Sequence, residues 1–462
     1  MLASRRHFLR SAVAVASAAP AYSALSGCTS TTSAEDVGLV ADPEGWLDLP
    51  PGFSYVRFST TGELMSDGLL VPERHDGMGA FAVDGEPDKV RLVRNHEVRP
   101  DRNAVGAFDN VPADQTFPST DLIYDFSPDG HPLKGGTTTL LYNTRTQELE
   151  SAHLSIAGTA TNCAGGVTPW GSWLTCEETY EMPGAHATKA HGFVFEVPAA
   201  NPGLAEPIPL TDMGRYKHEA AAVDPRTGIV YLTEDHEEGL IYRFLPNARG
   251  ELAKGGRLQA LALMDQISAD TRNWRAADYT AGQSLPVRWI DMQDVTAPDG
   301  DLHLRGYATG AARFARGEGM AWAVEPRGSA VYFACTTGGV ARKGQIWRYQ
   351  PSPVEGTPDE TSAPGQLVLH YESPGPQTMD MCDNIVAAPW GHLIICEDGD
   401  NDEFVHGLTP SGGVYTIARN AHPDKSEFAG ACFSPDGSTL FVNVQSPGAT
   451  FAITGPWRNL VV

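Results

Sequence analysis

One short unit recurs six times along the 462 residues and limits what the chain can fold into. An apolar strand begins just after a carboxylate or an amide, turns at a Pro/Gly pair, runs out again, and ends on a residue suited to metal. The two sharpest copies, Pro169-Trp170-Gly171 to Cys176-Glu177-Glu178 and Pro389-Trp390-Gly391 to Cys396-Glu397-Asp398, match position by position. Others start at Glu219, Glu318 and Glu427, and a degenerate first copy runs from Asp76-Gly77-Met78 to Asn95-His96-Glu97.

The interval from acid to proline is 6 at Glu219 and Asp383 (225−219, 389−383) and 8 at Glu318 and Glu427 (326−318, 435−427). Side chains alternate faces along a strand, so an even interval keeps the acid on one face in every copy. The acids are therefore expected to occupy equivalent places.

Turns recur at Asp129-Gly130, Gly135-Gly136, Thr227-Gly228 and Asp436-Gly437, and helical periodicity is confined to about 258–278. The pattern predicts an all-β chain, a six-bladed β-propeller with innermost strands around a central channel. Further strands are expected at Gly192–Val197, Leu240–Phe244, Gly344–Tyr349 and Gly413–Ile417. The longest interval between repeat prolines, 101 residues (326−225), marks a blade insertion at about 250–315, expected to form a lid or pocket wall.

A net charge of −24 with no Lys/Arg stripe opposes binding to nucleic acid. The surplus carboxylates serve either solubility or bound cations. At the N-terminus, Ser4-Arg5-Arg6-His7-Phe8-Leu9 matches a twin-arginine export signal, and its apolar stretch is too short to span a membrane. Leu25-Ser26-Gly27-Cys28 resembles a lipobox. Cys28 is then the acylated first residue of a periplasmic or outer-surface protein, against the alternative of ordinary cleavage. The expected division is 1–28 signal, 29–45 polar tether and 46–462 propeller, as a monomer touching the membrane only through that lipid. Six further cysteines in an oxidising compartment raise disulfides, with Cys176–Cys396 and Cys163–Cys382 as candidate pairs.

If each acid sits where its strand enters the channel, Asp76, Glu219, Glu318, Asp383 and Glu427 converge on one axis. Five like charges cannot converge without cations or arginines. Oxygen donors suit Ca²⁺, and a thiolate at Cys176 would suit iron or zinc. His96 and His218 are expected to orient neighbours rather than to ligate.

The motifs Asn95-His96-Glu97, Asn162-Cys163, Pro169-Trp170-Gly171 to Glu178, Gly214-Arg215-Tyr216-Lys217-His218-Glu219, Phe314-Ala315-Arg316-Gly317-Glu318 and Phe441 to Gly448 resemble those of PhoX-type alkaline phosphatases. The resemblance spans nearly the whole mature chain. It implies a propeller holding a buried iron pair and calcium ions and acting on phosphate monoesters outside the cytoplasm. It places iron at Cys176 and Glu219, metal more generally at Glu97, Glu177, Glu318 and Asp383, and the substrate phosphate at Arg316. The run Cys335-Thr336-Thr337-Gly338-Gly339 departs from the family in lacking asparagines, and Cys396-Glu397-Asp398 is unusual for the fifth copy. Two other readings of the residues stand beside this one: a calcium-dependent propeller lactonase, and a non-catalytic lipoprotein scaffold.

Overall fold

The computed structural model describes residues 38–112, 120–326 and 328–460. The twin-arginine segment, Cys28 and the first part of the expected tether lie outside the described residues. Six strands open the repeated units: β1 (His75–Ala82), β2 (Asn162–Val167), β3 (His218–Val223), β4 (Gly317–Glu325), β5 (Cys382–Ala387) and β6 (Phe428–Phe433). Each packs against the next, and β6 returns to β1, so the innermost strands close a ring. The fold is all-β and propeller-like. Among the described residues the one α-helix is α1, Leu302–Ala308.

Each innermost strand turns back into an antiparallel partner, as the Pro/Gly signals require. Gly171, Gly228, Gly391 and Gly437 all take positive φ in those turns (86°, 77°, 87° and 72°), where a side chain would be strained. Further strands follow at Val194–Pro198, Gly239–Pro246, Gln345–Gln350 and Val414–Asn420, matching the four expected from sequence. The ring itself is tight. A Cβ at Gly77 would lie 2.6 Å from the Cα of Ala164, and one at Gly319 2.5 Å from the carbonyl oxygen of Asp383.

Outside the ring, aromatic side chains fill the spaces between sheets. Tyr231, Phe333, Trp347 and Tyr349 are almost wholly buried in one such layer, each worth roughly 2–3 kcal/mol in removed apolar surface. The chain ends are tied together because Ser54–Phe58 pairs with Ala449–Thr454, and Leu47–Asp48 pairs with Val414–Asn420.

Three expectations change. The described strands form five sheets, because those opened by β3 and β4 share an outer edge where Ser284–Asp291 pairs with Gln366–Glu372. The segment 258–278 begins as a strand, Gly256–Leu263, which pairs antiparallel with Gly239–Pro246 on one side and Ser284–Asp291 on the other. Cross-strand pairing thus overrides the weak helical period, and the 250–315 insertion supplies outer strands and α1. Finally, all six described cysteines are free thiols, so neither candidate disulfide forms.

Candidate metal centre

The six units share one entry geometry. The carbonyl of the residue before each innermost strand accepts an N–H from the residue after its partner strand: Glu97 to Arg74, Glu178 to Thr161, Asp235 to Lys217, Thr336 to Arg316, Asp398 to Met381 and Gln445 to Glu427, over 2.9–3.2 Å. Every innermost strand then slips register within its first few residues. Such bulges bend the strand and re-aim a side chain. The residue two places past the entry is Asp76, Cys163, Glu219, Glu318, Asp383 or Ala429 in turn.

Cys163 therefore stands where four other units carry an acid. Its interval to proline is also 6 (169−163), the same as at Glu219 and Asp383, and that was the sequence signal for it. In the sixth unit the equivalent residue is Ala429, and Glu427 reaches inward from the entry position instead. The even spacing thus identified three of its four acids, Glu219, Glu318 and Asp383, as equivalent and misplaced Glu427, while Asp76 came from the degenerate first copy.

Ligand atoms gather in three groups, each with all its members within 4.8 Å: Cys163, Glu178 and Glu219; Glu219, Glu318 and Asp383; Asp383, Asp398 and Glu427. Glu219 and Asp383 are shared, so the three run together as one chain of donors. Glu178 and Asp398, both from exit positions, were not singled out from sequence. Both carboxylate oxygens of Glu219 are buried without a hydrogen-bond partner.

Burial first, and neighbouring carboxylates second, push the pKa values of Glu219 and Glu427 well up. For Asp76 and Glu318 the order is the same, partly opposed by Arg74 and Arg316 respectively. Asp383 is pushed up to about 7 by burial and by Asp398. The Cys163 thiol is raised by burial and then by Asp76 and Glu219. A site that resists its own ionisation this strongly is completed by cations. The donor set fits them: one group offers a thiol and two carboxylates, the other two offer carboxylates alone.

Arg316 closes one side, entered at φ 55°. Its Nε and Nη2 donate to Asp235 at 2.6 and 3.1 Å, and Nη2 lies 2.7 Å from Glu318 Oε1. Although burial opposes it, the Arg316 charge holds the Asp235 carboxyl below its ordinary range. Lys217 Nζ donates to Glu178 at 2.9 Å.

The other sequence candidates lie elsewhere. Glu97 Oε2 accepts from Arg74 Nη2 at 2.6 Å and from Gln445 Nε2 at 3.0 Å, buried beside the three donor groups rather than within one. Glu177 points away from the centre, accepting from the backbone N–H of Ala160, Gly192 and Phe193 and pairing with His191 Nδ1 at 2.7 Å. Cys176 packs among Leu174, Val194 and Tyr216, and burial drives its thiol pKa up. Cys396 is likewise a free thiol in an apolar cluster. His96 and His218 contact backbone carbonyls, of Glu73 and Gly214 respectively, rather than the acids.

Buried carboxylates and a thiol on the axis of a propeller-like fold, with an arginine across them, define a metal-dependent hydrolase for an anionic ester. The family model described as alkaline phosphatase PhoX matches residues 36–122 and 133–448, and the chain belongs to that family of phosphomonoesterases. A solved structure of Pseudomonas fluorescens PhoX, in complex with vanadate as a transition state analogue, is 18% identical, with a TM-score of 0.65 over 92% of this chain and 97% of that one. A gluconolactonase from Xanthomonas campestris is 10% identical, with a TM-score of 0.42 over 88% of this chain and 99% of that one. No curated protein matches the chain.

Proposed function

We propose that the chain releases phosphate from extracytoplasmic phosphate monoesters at this centre, with iron and calcium as its metals. The observation that carries the reading is Glu219, whose two buried oxygens lack any partner while serving two of the three donor groups. In this reading iron belongs with Cys163, Glu178 and Glu219, where the thiolate is, and calcium with the all-oxygen groups containing Glu318, Asp383, Asp398 and Glu427. The thiolate role thereby moves from Cys176 to Cys163. Glu97 stands beside Asp76, sharing the Gln445 amide with it, and Glu177 anchors the strand end that presents Glu178.

Bound metals would supply Lewis acidity and positive charge to the phosphoryl group. The chain's own contribution is positional. Arg316 offers a planar guanidinium for phosphate oxygens, and Asp235 fixes its plane through two hydrogen bonds. Vanadate bound to the Pseudomonas fluorescens relative supports an anion of phosphate shape at such a site.

The same reading takes the fold as six-bladed, one blade per innermost strand, with two blades joined through the 250–315 insertion. It takes 1–28 as a twin-arginine leader ending at a lipid-bearing Cys28, 29–45 as a tether, and 46–462 as a monomeric catalytic propeller. The test is elemental analysis of exported protein purified without chelator, with p-nitrophenyl phosphate hydrolysis assayed in added calcium. Iron in the protein together with hydrolysis is expected. Absence of any transition metal and of hydrolysis would overturn the reading.

A further inference from the structure

The repeat places a second arginine in the position of Arg316. Arg74 precedes β1 as Arg316 precedes β4, and the surrounding residues correspond: Arg74-His75-Asp76-Gly77-Met78 beside Arg316-Gly317-Glu318-Gly319-Met320. Both are entered at positive φ, 59° and 55°. In both, the backbone carbonyl takes the N–H of the exit residue, and the register slip falls before the following methionine. Strands β1 and β4 are three steps apart around the closed ring, so the two guanidiniums approach the donors from opposite sides.

Each also pairs with one exit acid and with one acid of the donor groups, although not at equivalent positions. Arg316 pairs with its neighbouring exit acid Asp235 and with Glu318. Arg74 pairs with its own exit acid Glu97 at 2.6 Å and lies 3.8 Å from Glu427, a member of the third donor group. Asp398, in that same group, feels both arginines. Each guanidinium also keeps donor capacity: the Nε of Arg74 is buried without a partner and its Nη1 has only a 3.4 Å contact with Ser446 Oγ, while Nη1 of Arg316 has no protein acceptor among the described residues. Lys217, at the third basic entry position, is instead committed to Glu178 and Asp235.

We propose that Arg74 is a second phosphate-binding arginine, facing Arg316 across the metal centre so that the substrate phosphate is held from two sides. The inference rests on the phosphatase reading and extends it to a residue with no assigned part. Each guanidinium would give charge-assisted hydrogen bonds to different oxygens of one tetrahedral anion, a contact that an ammonium cannot reproduce with the same geometry.

The experiment compares Arg74→Gln, Arg74→Lys and Arg316→Gln with the unsubstituted metal-loaded protein, measuring metal content, KM for p-nitrophenyl phosphate and inhibition by inorganic phosphate and vanadate. Expected for Arg74→Gln is a rise of roughly tenfold or more in KM and in both inhibition constants. Arg74→Lys keeps the charge against Glu97 and Glu427, so it should keep full metal content while still weakening vanadate several-fold. Unchanged inhibition constants in fully loaded Arg74→Lys, with Arg316→Gln clearly weakened, overturn the inference and leave the phosphatase reading standing. Failure of the unsubstituted protein to bind phosphate or vanadate overturns both.

Discussion

The thiol of Cys163 and the carboxylate of Glu219 come from neighbouring innermost strands and meet, with Glu178, within 4.8 Å. Cys163 is the cysteine in this donor set, whereas Cys176 sits in an apolar cluster. Cys163→Ser should therefore abolish transition-metal content and lower Tm no further than chelation lowers that of the unsubstituted protein. Cys176→Ser should retain metal while losing about 1–3 kcal/mol, since it buries a hydroxyl without a partner. Elemental analysis and thermal unfolding of the two variants check the contrast, and metal loss from Cys176→Ser alone would reverse the assignment.

Metal removal should make stability depend on pH in a definite direction. The buried acids have folded pKa values above the unfolded value of about 4, with Asp383 at about 7. Groups raised in this way contribute stability that is complete below the unfolded pKa and lost as pH rises through the folded one. Chelated protein should thus fall further behind metal-loaded protein in Tm between pH 5 and pH 8. A gap independent of pH would mean that these acids are not what the metals neutralise.

A second titrating element lies behind the strand that presents Glu178. His191 is wholly buried between Glu177 Oε1 at 2.7 Å and Asp125 Oδ2 at 3.0 Å. Burial alone would lower its pKa, but these two carboxylates raise it to about 9. Its contribution is complete below about 6.5 and lost as pH rises through about 9. His191→Gln should destabilise the protein by about 3–5 kcal/mol at pH 6, where two buried carboxylates lose their cation, and by less at pH 10. Urea unfolding at the two pH values measures the difference.

Much of this centre was legible because the repeat is legible. The Pro/Gly turns and even spacing brought out Glu219, Glu318 and Asp383, and the structure gathers all three. What failed was the choice between adjacent residues. Glu177 and Glu178 differ by one place, but alternation sends Glu178 to the centre and Glu177 to His191 and the Gly192 and Phe193 amides. The copies also differ in where the acid stands: Glu427 occupies the entry position and Ala429 the place of the other acids. The shared outer edge through Ser284–Asp291 depends on pairing between distant segments, which no local period encodes.

The narrowness of the ring gives a final prediction. A Cβ on Gly319 would lie 2.5 Å from both the Asp383 carbonyl oxygen and the Ile385 amide nitrogen, so β4 and β5 must move apart to admit it. Glu318 and Asp383, whose oxygens share a donor group, ride on those two strands. Gly319→Ala should therefore leave a folded, strand-rich protein with reduced metal content and roughly 10²-fold lower kcat, the scale expected for an ångström-level displacement of reacting groups. Gly391 is the control. It sits in a turn at φ 87° with open space where a Cβ would stand, so Gly391→Ala should cost about 1–2 kcal/mol of backbone strain and leave metal content and kcat unchanged. Circular dichroism, elemental analysis and steady-state kinetics on the two variants separate the effects. Equal loss of activity in both would show that the spacing of β4 and β5 does not set the donor geometry.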